Sequence, residues 1–144
     1  MSLIYRFTTL DDAYSLLLEA RGLPGVASAM PRVQRCVRTC ILMSWIALEE
    51  GMDHSVDLWK QQGQTFGRLP AALKPRLSTI LAVLSRPPVD DVAFSVLRKV
   101  RNDLTHPRAL AGEPDLAVEQ AEETFEFCVS AVRAIFPFRV DCEF

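Results

Sequence analysis

The chain has 144 residues, 49% of them hydrophobic and 24% charged, and 16 Lys+Arg against 18 Asp+Glu leave a formal net charge of -2. At roughly 100–200 residues per domain, residues 1–144 make a single domain, and the composition is that of a globular protein rather than a disordered one. The slight negative charge excludes a chain-wide basic coat for nucleic acid and leaves room only for a local patch.

The periodicity is almost wholly helical and predicts an all-α helical bundle of four to six helices. A short extended stretch at residues 3–7 is the one departure. A first helix is expected after Thr9, whose hydroxyl can cap exposed amides while Asp11 and Asp12 suit the positive helix end. It stops near Gly22 and Pro24, and residues 22–30 form a small-residue connector. Pro31 suits the first turn of a long helix reaching Gly51. Val33, Val37, Cys40, Ile41, Ser44 and Leu48 form its main stripe, with Leu42, Met43, Trp45 and Ile46 adding apolar groups on other sides. A helix apolar nearly all round is central, or covered on one side by a second subunit.

Asp53 is expected to cap a short helix reaching about Gln62, followed by a polar turn at 61–67. Residues 70–84 carry a further amphipathic pattern, which Pro87 and Pro88 break. Asp90 or Asp91 opens the next helix, with Val92, Val96, Leu97, Val100 and Leu104 as its apolar side and Pro107 as its stop. After a loop at 108–114, a last helix is expected over 115–136, closed by Pro137. Val118, Ala121, Phe125, Cys128, Val132 and Ile135 line its apolar side, and Glu119, Glu122, Glu123 and Glu126 its solvated face.

Several chemistries find no support. Cys36 and Cys40 lie one turn apart, with Cys128 and Cys142 far along the chain, and no CxxC pair occurs. With His54 and His106 the only histidines, neither a zinc site nor a disulfide framework is expected, and Cys36, Cys40 and Cys128 read as small core hydrophobes. Glu49, Glu50, Asp53 and His54 cluster at helical spacing but should splay into water at a helix end rather than hold a metal. Trp45 and Trp59 are expected as core or interface anchors. Neither a P-loop, a dinucleotide fingerprint nor a nucleophile elbow is found, so no cofactor is called for. The longest apolar run, 40–48, is too short to cross a bilayer. Arg6, Asp11 and Asp12 interrupt the opening stretch, unlike a secretory leader, which makes the expected location cytoplasmic.

One stretch concentrates chemistry: Arg98, Lys99, Arg101, Asn102 and His106 at the end of a helix, followed by Pro107. Asn102 and His106 are i, i+4 and share a face if the helix persists. Arg101 and His106, five apart, are about 140° apart around an ideal helix and converge only if it unwinds at His106, which Pro107 favours. A plain helix C-terminus also accounts for these residues, since cations and histidine suit its negative end and proline commonly follows.

Arg101, Asn102 and His106 match the R-N-x-x-x-H form of the Rx4–6H motif, and the chain resembles the HEPN family there. The motif's late position before one long final helix is similar to that family, as is the earlier helix carrying Glu49. The resemblance implies a HEPN-like up-and-down core and a metal-independent endoribonuclease, toxin-like or anti-phage, acting as a homodimer that joins two motifs in one cleft. His106 would then be the general base or acid and Arg101 the phosphate clamp, with Asn102 orienting either of them and Glu49 joining the cleft. Arg98, Lys99 and Arg108 would add an RNA-binding surface. Such cleavage uses the ribose 2′-OH and spares DNA. Arg108 stands where a toxin subgroup carries a modified tyrosine, so regulation by that modification is not expected. Partners would be RNA and an antitoxin or other protein, with no membrane. The alternative is a non-catalytic helical module that binds a protein partner or a nucleotide.

Overall fold

The computed structural model describes residues 4–105 and 116–141. Along the chain run β1 (Ile4–Arg6), α1 (Thr8–Gly22), a single 3-10 turn (Ala27–Ala29), α2 (Met30–Gln61), α3 (Leu73–Val83), α4 (Asp91–Thr105), α5 (Val118–Ile135) and β2 (Arg139–Asp141). The described residues therefore form an all-α bundle of five helices with a minimal parallel strand pair, Ile4 opposite Arg139 and Arg6 opposite Asp141. The extended stretch expected at 3–7 is β1. Its partner β2 follows α5 within a few residues of Pro137, where the sequence shows only a helix stop.

The organising element is α2, which at 32 residues is about 48 Å long. It packs most extensively against α1 and α5, while α3 and α4 cover part of its remaining surface. The stripe expected on it is buried throughout: Val33, Val37, Cys40, Ile41, Ser44 and Leu48 all lie in the core. Leu10, Ala13, Leu17 and Ala20 of α1 are buried with it, as are Ala121, Phe125, Cys128, Val132 and Ile135 of α5.

Two expected helices are one. The sequence places a stop at Gly51 and a new start at Asp53, but α2 runs through both. A Cβ on Gly51 would sit 3.2 Å from Val132 Cγ2 and 3.5 Å from Phe136 Cε2. The missing side chain lets α5 approach α2 closely, which accounts for a glycine that costs about 0.5–1 kcal/mol against alanine within a helix. Termination falls to Gly63, at φ +89°. Its N–H donates to the Lys60 carbonyl and that of Gln64 to the Trp59 carbonyl, both at 3.0 Å, a Schellman closure. Glu49, Glu50, Asp53 and His54 are therefore mid-helix rather than at a helix end.

Other local expectations shift for equally specific reasons. Thr9 does not cap α1, which starts at Thr8 without a side-chain cap. Its hydroxyl instead donates to Glu50 Oε2 at 3.0 Å and ties α1 to α2. In α4 the expected apolar side holds in part: Leu97 is buried and Val100 and Leu104 pack against the core, but Val92 and Val96 are 73% and 58% exposed and Phe94 is buried instead. Phe94 packs edge-on to Trp45 and to Phe127, at 5.4 and 5.9 Å between ring centroids, and this aromatic contact sets the rotation of α4. Ahead of α5, the Gln34 side chain donates to the Leu116 carbonyl at 2.7 Å and accepts from its N–H at 2.8 Å, fixing the chain against α2. No helix among the described residues is long and apolar enough to cross a membrane.

Candidate functional site

Residues 94, 97, 98 and 101 share one side of α4, because helical neighbours recur every three or four positions. Phe94 and Leu97 anchor that side in the core, so Arg98 follows them inward toward α2 rather than into solvent. Trp45 and Glu49, one turn apart on α2, meet it.

Arg98 is the centre of the arrangement. Its guanidinium carbon lies 5.0 Å from the centroid of the Trp45 ring, a cation–π placement. Its Nη2 donates to Glu49 Oε1 at 3.3 Å, with the arginine side chain only 20% exposed and that of Glu49 44% exposed. Burial first, and then the neighbouring Arg101 charge, pull Arg98 below the ordinary guanidinium value, while Glu49 opposes them. Arg98 Nη1 and Trp45 Nε1 are both buried with no partner among the described residues. A buried donor without an acceptor costs about 1–3 kcal/mol, so these two groups weaken this corner rather than secure it.

Arg101 is half-buried, and its Nη1 donates to Asn102 Oδ1 at 3.1 Å. Thr105 Oγ1 donates to the Asn102 carbonyl at 3.1 Å, engaging one of the carbonyls left open at this end of the helix. Lys99 and Asn102 are exposed. The structure thus makes two polar pairs on this part of α4, Glu49 with Arg98 and Arg101 with Asn102, and leaves Lys99 on the outer face. His106 and Arg108 lie outside the described residues, as does the expected convergence of Arg101 with His106.

Trp45, expected as a core or interface anchor, is in addition the platform for Arg98. Its spacing from Glu49 is the sequence signal that places both on one side of α2. Asp53 accepts from Arg76 and Glu50 from Thr9. Each carboxylate of the α2 cluster therefore has its own partner, and no group of three metal-ligating side chains converges among the described residues. The cysteines Cys36, Cys40 and Cys128 are buried and free. Burial pushes the Cys40 thiol up to about 11 and Cys128 well above the ordinary thiol value, which suits packing rather than nucleophilic chemistry.

No protein-family model, curated protein or solved structure matches this chain.

Proposed function

We propose that this chain is a metal-independent endoribonuclease of HEPN type, toxin-like or anti-phage, acting in the cytoplasm as a homodimer. One observation carries the reading. Arg98, paired with Glu49, and Arg101, paired with Asn102, lie on successive turns near the end of α4, and Arg101 and Asn102 are within five residues of His106 in sequence. A phosphodiester entering this corner would meet Arg101 as its clamp, with Arg98 behind it and Lys99 and Arg108 extending the basic surface. Glu49 neutralises Arg98, so the net positive charge of the pair remains for the phosphate. His106 removes the 2′-OH proton or protonates the leaving 5′ oxygen, and Arg101 stabilises the charge that develops on the phosphorane. The products are a 2′,3′-cyclic phosphate and a 5′-OH end. An antitoxin that covers this corner would silence it.

The purified protein is expected to cut single-stranded RNA in EDTA and to leave the matching DNA intact. His106→Ala and Arg101→Ala should each lower cleavage at least about a hundredfold, the ordinary loss for a proton-transfer or electrostatic group. Both should keep the helical circular dichroism spectrum. Cleavage unchanged in His106→Ala rejects the assignment. The second reading, a non-catalytic interaction module, is favoured by the exposed Val92 and Val96 and predicts no cleavage at all.

A further inference from the structure

A cavity of about 250 Å³ opens between α1 and α2, lined by Leu16 and Glu19 of the first helix and by Arg32, Arg35, Cys36 and Thr39 of the second. These positions recur every three or four residues on each helix, so each helix presents one side to the cavity. The volume is below the roughly 300–1,000 Å³ of drug-sized sites and suits a small molecule. The charges lining it do not balance: two guanidiniums stand against one carboxylate, and only one of the two is engaged. Arg32 donates through Nε to Glu19 Oε1 at 2.9 Å and through Nη2 to the same oxygen. Arg35 is exposed and forms no ion pair among the described residues, and Glu19 acts on it only at longer range. One turn away on its own helix Arg35 meets Pro31, Arg32, Arg38 and Thr39, none of them acidic. The Thr39 hydroxyl donates to the Arg35 carbonyl at 2.8 Å, which commits its proton and leaves Arg35 as the open donor. The other walls are uncharged. Cys36 is 6% exposed, and burial, followed by the Glu19 charge, pushes its thiol up, so it stays neutral. Leu16 packs against the core and, with Cys36, forms an apolar strip beside the cations.

We propose that this cavity binds a short-chain monocarboxylate, its oxygens held by the Arg35 guanidinium and its alkyl end laid against Leu16 and Cys36. A guanidinium fork matches a carboxylate through two parallel hydrogen bonds. The one uncompensated positive charge is matched by one carboxylate. A phosphate monoester carries about −1.5 to −2 at neutral pH and would leave excess negative charge beside Glu19. Glu19 sets the affinity from the other side, since it occupies Arg32 and repels a second carboxylate. Arg35 lies about 21 Å along α2 from Glu49, so this site is separate from the candidate nuclease corner and does not rest on that reading.

Heteronuclear NMR of the isotopically labelled full chain, titrated with sodium butyrate at constant ionic strength, tests it. The amides of Glu19, Cys36 and Thr39 should shift and saturate at millimolar butyrate, whereas n-butanol and n-butylamine should leave them in place. Arg35→Gln, at an exposed position, should weaken binding at least about tenfold, the ordinary loss of a charged hydrogen-bond donor. Glu19→Gln should tighten it about threefold, the effect of removing a like charge about 6 Å away in water. Arg101→Ala should change nothing at these amides, which separates this cavity from the corner on α4. Shifts that never saturate, an equal response to n-butanol, tighter binding of inorganic phosphate than of butyrate, or a Glu19→Gln variant that binds no better than wild type each overturns the proposal.

Discussion

Helices α4 and α5 both lie against α2, both are rich in apolar residues, and they use them in opposite ways. α5 buries Ala121, Phe125, Cys128, Val129, Ala131, Val132 and Ile135, whereas α4 buries only Phe94 and Leu97. Two valines of α4 are turned to solvent while Arg98 reaches inward. Full burial of an aliphatic side chain stabilises by about 1.5–3 kcal/mol, and an inward cation needs a partner merely to avoid a loss. A helix selected for cohesion alone would exchange these positions. An exposed apolar face beside a buried polar group is the more informative departure from an ordinary surface, and here both occur on one helix. The element carrying the candidate chemistry is therefore the one least secured by the core, and its amides should open at a lower free energy than those of α5.

Trp45→Ala should break this contrast most severely. The Trp45 ring contacts Phe94, Phe127 and the Arg98 guanidinium, and so holds most of what fixes α4. Removing it should cost about 3–5 kcal/mol in urea denaturation. Hydrogen exchange should locate the loss, with amides of α4 deprotected well before those of α5. Equal deprotection of both helices would show that α4 is not a separate, weaker unit.

The contrast was only partly legible in the sequence. The 3.6-residue period exposes the buried stripe of α2 and that of α5, because each packs one broad face on a continuous apolar surface. In α4 two stripes fit helical spacing equally well, and the choice between them is made by Trp45 and Phe127, remote in the chain. Gly51 looks like a stop because its role is set by Val132 and Phe136, more than eighty residues away. Three-residue strands such as β2 carry no pattern at all. At the candidate site, Arg101 and Asn102 are legible as neighbours, and Glu49 through the resemblance. The stacking of Arg98 on Trp45 is a tertiary contact with no local signature.

Arg98→Met sharpens the contrast by asking why the cation faces inward. Methionine keeps the apolar reach of the side chain, and Glu49, 44% exposed, stays hydrated when its partner is lost. The stability change should therefore stay within about 1 kcal/mol in either direction, since replacing an ion pair with apolar contact is often neutral or favourable. Affinity for single-stranded RNA should fall in the same variant. A loss above about 2 kcal/mol would make Arg98 a structural residue, with the burial of α4 set by its charge.

The smallest effect separates packing from chain entry as the origin of the weak attachment of α4. Ser85, at the end of α3 and just ahead of the entry to α4, has φ +54°. It sits in a Schellman closure, its N–H donating to the Ala82 carbonyl at 3.1 Å and that of Arg86 to the Leu81 carbonyl at 2.8 Å. The position favours glycine, because a Cβ in this left-handed region costs about 1–2 kcal/mol. Glycine also gains freedom in the unfolded chain, which offsets part of the benefit. Ser85→Gly should accordingly raise stability by about 0.5–1 kcal/mol, seen as a rise in Tm of about 2 °C. If packing against Trp45 governs α4, its amides should keep exchanging faster than those of α5 by the same margin, because the substitution touches neither Phe94 nor Leu97. A narrowing of that margin would instead assign the looseness of α4 to the strained turn that feeds it.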